Sequence, residues 1–155
     1  GRYAGDQRSE AQEAMTMLVS TETISFGTEG FCHLIDITGM AQERVRQSGM
    51  TQGIAVVFVP GSTGAVLTIE FEEGLVQDFQ RLMERLAPQN IPYDHDRRWG
   101  DGNGFSHIRA ALMGASAVVP VVDGRLALGT WQQLLFVDFD NRKRQRTVIV
   151  QLLGE

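Results

Sequence analysis

Apolar and polar positions alternate along much of this chain in the period-two pattern of half-buried strands, broken in three places by helical spacing. Residues 15–26 mix Val19, Ile24 and Phe26 with alternating Ser, Thr and Glu, which predicts a first strand. A turn at 27–30 leads to a second strand over 31–37, and Asp36-Ile37-Thr38 opens a short helix with Thr38 as N-cap and Gly49 just past its end. Residues 53–59 are almost continuously apolar, so this strand is expected to be covered on both faces. Residues 60–64 break it and 65–71 resume as a strand. Leu75, Val76, Phe79, Leu82, Met83 and Leu86 fall on one helical face, and Pro88 stops that helix. Residues 89–104 have neither period and read as a long loop, a kind of segment that usually carries function or disorder. A helix over 105–113 ends at Gly114. A hairpin of 116–122 and 125–137 then turns on Asp123-Gly124, the expected two-residue turn, and a polar connection at 138–146 precedes a last strand at 147–153.

Many strands with two to three interspersed helices predict an α+β fold built on a mixed, mostly antiparallel β-sheet or sandwich. Regular strand-helix alternation and a GxGxxG after a strand are both missing, which argues against a dinucleotide-binding fold. The 155 residues suit one domain, placed at 15–155 behind a polar N-terminal extension, 1–14. Fourteen Lys and Arg against 19 Asp and Glu leave a net charge of -5, which disfavours a broad nucleic-acid footprint. The single cysteine, Cys32, forms no zinc spacing and no intramolecular disulfide, pointing to a reducing, cytoplasmic setting. No apolar run approaches the roughly 20 residues of a membrane span. Glycine is in excess, 17 of 155 or about 11% against an average of roughly 7%.

Candidate chemistry is concentrated in 93–107, where His95 and His107 accompany Asp94, Asp96 and Asp101. Imidazole nitrogens with carboxylate oxygens suit zinc or a similar ion, so His95, His107 and Asp101 are candidate metal ligands, the alternative being a polar surface loop. An EF-hand is excluded because Leu112 occupies the position of its final glutamate. Gly102, Asn103 and Gly104 precede a helix N-terminus, where backbone amides can receive phosphate or carboxylate. Ser62 and Thr63 offer hydroxyls without the lysine of a P-loop, and a plain connection is the commoner outcome there. Arg125 and the cluster of Arg142, Lys143, Arg144 and Arg146 are candidate anion partners, though such clusters are usually solvated. Trp131 and Gln132, side by side after Thr130, are read as a strand pair facing opposite ways, one of them toward a cavity or interface. His33 and Cys32 are expected to be structural.

Residues 116–134, Ser-Ala-Val-Val-Pro-Val-Val-Asp-Gly-Arg-Leu-Ala-Leu-Gly-Thr-Trp-Gln-Gln-Leu, resemble the signature of the YjbQ-like family. The likeness extends over Asp36-Ile-Thr, the Ser-Thr-Gly-Ala segment, Tyr93 with His95, and His107. It implies a compact α+β homotrimer with sites between subunits, and a weak secondary thiamine-phosphate synthase activity joining a pyrimidine diphosphate to a thiazole phosphate. It also implies a polar cluster of His95 and His107 with Thr63, Thr130, Trp131 and Gln132 around it, Gln132 joining the two histidines in catalysis. Many family members have His-Thr-Thr or His-Thr-Ser where this chain has Ser62-Thr63-Gly64, and Asn-Glu where it has Glu70-Phe71, so a third histidine is missing. Glu70 or a loop aspartate is then the oxygen ligand expected in its place. Two functions follow as expectations. One is the transferase, with zinc or magnesium as cofactor; the other is a non-catalytic oligomeric module binding a metal or a small phosphorylated metabolite.

Overall fold

Which side chains each strand buries decides the layering. The computed structural model describes residues 16–155, so Met15 and the expected extension at 1–14 lie outside the described residues. The elements in order are β1 (Leu18–Thr28), β2 (His33–Asp36), α1 (Thr38–Ser48), β3 (Gln52–Phe58), β4 (Gly64–Ile69), α2 (Glu73–Leu86), α3 (Asp94–Trp99), α4 (Gly104–Met113), β5 (Ser116–Val122), β6 (Arg125–Leu126), β7 (Gln133–Asp138) and β8 (Arg144–Gly154). They form a five-stranded sheet, β1-β8-β3-β5-β6, and a three-stranded sheet, β2-β7-β4. All pairings within them are antiparallel, as the strand alternation predicts.

One core lies between the sheets, where Ile24, Val57 and Val150 meet Val66, Leu134 and Phe136; Ile37, the N-cap of α1, joins it with Ala41 and Val45 of the helix. A second core lies on the far side of the small sheet, where Leu34, Ala65, Leu135 and Val137 pack on Met83 of α2 and Ala110 of α4. The protein is therefore three layers deep: large sheet, small sheet, helices. Among the described residues no helix is long and apolar enough to cross a membrane.

The strand covered on both faces is β7, not β3. Leu134 and Phe136 enter one core while Leu135 and Val137 enter the other, whereas β3 buries Ala55 and Val57 and leaves Ile54 and Phe58 exposed. A continuous apolar run does not reveal its neighbours, and β3 is central in its sheet by hydrogen bonding only. The expected long hairpin arm at 125–137 is also divided. Asp123 and Gly124 make the turn with φ of 50° and 74°, but β6 ends at Leu126 and the chain crosses to the other sheet as β7. Thr38 is the first helical residue rather than the N-cap. Its amide donates to Asp36 Oδ1, and its hydroxyl accepts from the Leu134 amide. Inside the stretch read as a loop, residues 94–99 form α3.

The expected polar connection at 138–146 is shorter, since Asp138 ends β7 and Arg144 starts β8, and its two ends are joined by ion pairs to buried carboxylates. Arg146 donates to both oxygens of Asp138 at 2.7 and 2.9 Å and to Thr63 Oγ1 at 2.7 Å, and Thr63 in turn donates to Asp140 Oδ2 at 2.9 Å. Arg144 pairs with Asp140 at 2.9 Å, and both carboxylates are fully buried. Such pairs persist because the interior leaves neither charge unmatched. Two of the four basic residues are thus engaged by buried carboxylates, and Lys143 pairs with Glu29 at the surface.

Candidate functional site

Tyr93 and Gly104 bring the two histidine-bearing segments together. Tyr93, extended, precedes α3, and its side chain packs so closely on Gly104 that a Cβ there would collide with it. Gly100 closes α3 in the left-handed conformation and turns the chain back toward α4. Asp96 Oδ1 then accepts the Gly104 amide at 2.8 Å, while Asp101 Oδ1 accepts the Asn103 amide at 3.2 Å. The helix start intended for an external anion is thereby capped by the protein's own carboxylates.

This geometry sets the His95 and His107 rings 4.5 Å apart, inclined at 44°. His95 Nδ1 lies 3.4 Å from Asp101 Oδ1 and 3.5 Å from Asp96 Oδ1, and this buried atom has no hydrogen-bond partner. Ligand atoms of His95, Asp96 and Asp101 all fall within 4.8 Å of one another. Asp96 was not singled out from the sequence as a ligand; its place one residue after His95 gave no reason to prefer it over Asp94, whose carboxylate faces Arg97 instead.

His107 also lines a cleft of about 370 Å³ with Ser62, Gly61, Gly64, Ala111 and Ala115. The structure thus brings together His95, His107, Asp101 and Ser62. Thr63 is withdrawn into the Asp140 network, and Asn103 is buried, its Oδ1 accepting the Asn141 amide and meeting Ser106. Gly102 lies in the turn between α3 and α4, against the Asn141 side chain.

The other candidates stand elsewhere. Arg125 sits past the Val122 end of β5, whereas the cleft adjoins the Ser116 end, roughly 20 Å away at about 3.3 Å per residue. Gln132 donates to Thr68 near the far end of β4 from Gly64, and Thr130 and Trp131 form a turn rather than a strand, with Trp131 74% exposed. Glu70 follows that same far end, so it does not replace the missing histidine in one copy of the chain. His33 and Cys32 are structural as expected: His33 Nδ1 accepts the Glu29 amide at 3.0 Å, and Cys32 is buried.

Arg109, unnoticed in the sequence, holds the helical layer in place. Only 1% exposed, it donates to the Ala87 carbonyl at 3.0 Å and to Glu84 at 2.8 Å and lies over the Phe105 ring. It fixes α4, and so His107, against α2. An arginine in an otherwise apolar helix face is the signal that marks it.

Residues 22–155 match the family described as UPF0047 protein YjbQ-like. A UPF0047 protein of Archaeoglobus fulgidus is 40% identical over 119 residues, covering 77% of this chain and 90% of that protein. Bacillus subtilis UPF0047 protein YugU is 32% identical over 134 residues, 86% of this chain and 98% of its own. A crystal structure of a YbjQ-like protein of unknown function from Sulfolobus solfataricus P2 superposes with a TM-score of 0.85 at 33% identity, over 90% of this chain and all of that one. With the family match spanning residues 22–155 and relatives up to 40% identical over most of its length, the chain belongs to the YjbQ-like UPF0047 family.

Proposed function

We propose that the α3–α4 site binds a divalent transition-metal ion through His95 and Asp101 with Asp96, and that a small anionic metabolite enters the adjoining cleft at Ser62 and His107. The observation that carries this reading is the unpartnered His95 Nδ1 aimed between two carboxylate oxygens. One imidazole with two carboxylates fits zinc, while magnesium prefers an all-oxygen shell. His107, 4.5 Å from His95 by ring centres, stands between this donor set and the cleft. A bound ion would polarise a phosphoryl or carbonyl oxygen of the metabolite.

The same reading takes the chain to act as a homotrimer, since in one copy Trp131 and Gln132 are a strand length away from His107. Thiamine-phosphate synthesis asks more of the site, because departing pyrophosphate needs fixed positive charge. Arg125 is remote, and Arg144 and Arg146 are engaged by Asp140 and Asp138. Metal and metabolite binding is therefore the better-supported function.

Calorimetry with zinc should give one site per chain, weakened at least tenfold in His95→Ala and in Asp101→Asn, with both variants folded. Wild-type protein that binds zinc no better than His95→Ala overturns the proposal. The same preparation, given a pyrimidine diphosphate, a thiazole phosphate and Mg²⁺, is expected to form no thiamine phosphate above a heat-killed control. Product above that control would restore the transferase.

A further inference from the structure

Strand β4 of the small sheet and strand β5 of the large one border a common cavity of about 490 Å³, lined by Thr68, Ser116, Val118, Ala127, Leu128 and Gln132 among others. It shares no lining residue with the Ser62–His107 cleft, and no Asp, Glu, Lys, Arg or His is among its described lining residues.

Hydrogen-bond parity settles what the strand edges offer. The Pro120 carbonyl accepts the Ala127 amide at 2.8 Å, on the side of β5 away from β3. Alternate residues of a strand direct their backbone groups the same way, so Val118 also turns its N–H and C=O away from β3. Strand β6 pairs only with Val121 and Val122, so among the described residues no strand reaches Val118 on that side. On β4 the Val66 amide donates to the Gly114 carbonyl at 3.2 Å rather than to β7, so Thr68 likewise turns its N–H and C=O away from β7. The Thr68 hydroxyl accepts from Gln132 Nε2 at 3.2 Å.

We propose that this cavity binds a flat, uncharged nitrogen heterocycle of the nucleobase kind, its edge paired with the N–H and C=O of Val118 and its far side facing Thr68 and Gln132. An N–H and a C=O displayed by one extended residue match a ring edge on which an acceptor adjoins a donor. Leu128, half-buried against the core between the sheets, offers an apolar contact to the ring. A charged ligand would find no partner among these residues. An open edge also takes an added strand, but this one is closed at both ends, by the Val66–Gly114 bond and by the Ala127–Pro120 bond. Only Ser116 to Val119 stay free on β5, fewer than the roughly five or six residues of an ordinary strand. The volume instead suits a small molecule, whose sites run to about 300–1,000 Å³. Nothing in this site depends on whether zinc binds at His95.

Calorimetry of the full chain with adenine should give one site per chain, with a Kd no weaker than about 1 mM. N6,N6-dimethyladenine, the same ring without its amino donor, should bind about tenfold more weakly or worse. Val118→Pro deletes the amide on the open edge while keeping the bonds to β3, as Pro120 already does two residues on, and should weaken adenine to the same degree. Ala127→Phe, at an exposed position, fills the cavity and should abolish binding. Circular dichroism melting reports whether each variant is folded; if Val118→Pro is not, Ala127→Phe decides. Wild-type protein that fails to bind adenine, equal affinity for the two purines, or a folded Ala127→Phe protein with wild-type affinity overturns the proposal.

Discussion

Cys32 sits 2% exposed at the entry to β2, and burial pushes its thiol up to about 12, with the nearby Arg109 charge opposing and the Glu84 charge adding to that shift. Since the thiolate is the reactive form, a maleimide or disulfide reagent at pH 8 should leave the native protein unlabelled and modify it fully once guanidinium unfolds it. The buried pairs give a second expectation. Asp138→Ala leaves the Arg146 guanidinium, only 12% exposed, without its bidentate partner and should cost about 3–5 kcal/mol in urea unfolding. Sequence exposed these residues unevenly. His95, His107 and Asp101 were legible because histidine is scarce and carboxylates crowd one segment. Asp138, Asp140 and Arg109 were not, since a charged residue normally signals solvent, and only tertiary packing reveals that its partner follows it into the interior.

Elements were legible where a period lasted. The apolar face running from Leu75 to Leu86 located α2 within two residues, the two added at its start following the N-cap Glu72, whose carboxylate accepts the Gly74 and Leu75 amides at 2.8 Å. The six residues of α3 are too few to show a period, so it read as loop. The two apolar runs in β3 and β7 look alike in sequence, and only the existence of a second sheet separates them. Within the large sheet, Gly53 of β3 pairs with Gly154 of β8, and a methyl on Gly154 would overlap the Gln52 carbonyl and press on Gly53 and Met50. Gly154→Ala should therefore force the strands apart and lower stability by about 1–3 kcal/mol, read as a drop in melting temperature.

At the scale of the molecule, pH acts through the ion pairs by which Arg144 and Arg146 of β8 meet Asp138 of β7 and Asp140 just beyond it. Burial by itself would raise the Asp140 carboxyl, but hydrogen bonds from Arg144, Thr63 and Asn103, with the Arg144 charge, together hold it below its ordinary value of 3.8. A carboxyl lowered by folding stabilises the native state above that ordinary value and stops doing so as the pH falls toward the depressed one. Melting temperature should thus hold near neutrality and fall below about pH 4, and Asp140→Asn should flatten that acid limb. The α+β class and its mostly antiparallel character were readable from strand alternation; the division into two sheets was not, because residues 125–137 read as one hairpin arm although a turn at Thr130 and Trp131 parts β6 from β7.

The pairing of β1 with β8 runs eleven residues, from Leu18 opposite Gly154 to Thr28 opposite Arg144, and β8 lies between β1 and β3. During synthesis, the strand that joins these two is the last of the described strands to leave the ribosome. Until it does, β1 and β3 each present an open edge to other nascent chains. Folding must then close a loop spanning nearly the whole described chain, placing it among slow, high-contact-order folders. A chain stalled with β8 still in the exit tunnel should be cut readily by protease, and emergence of β8 should confer resistance in a single step.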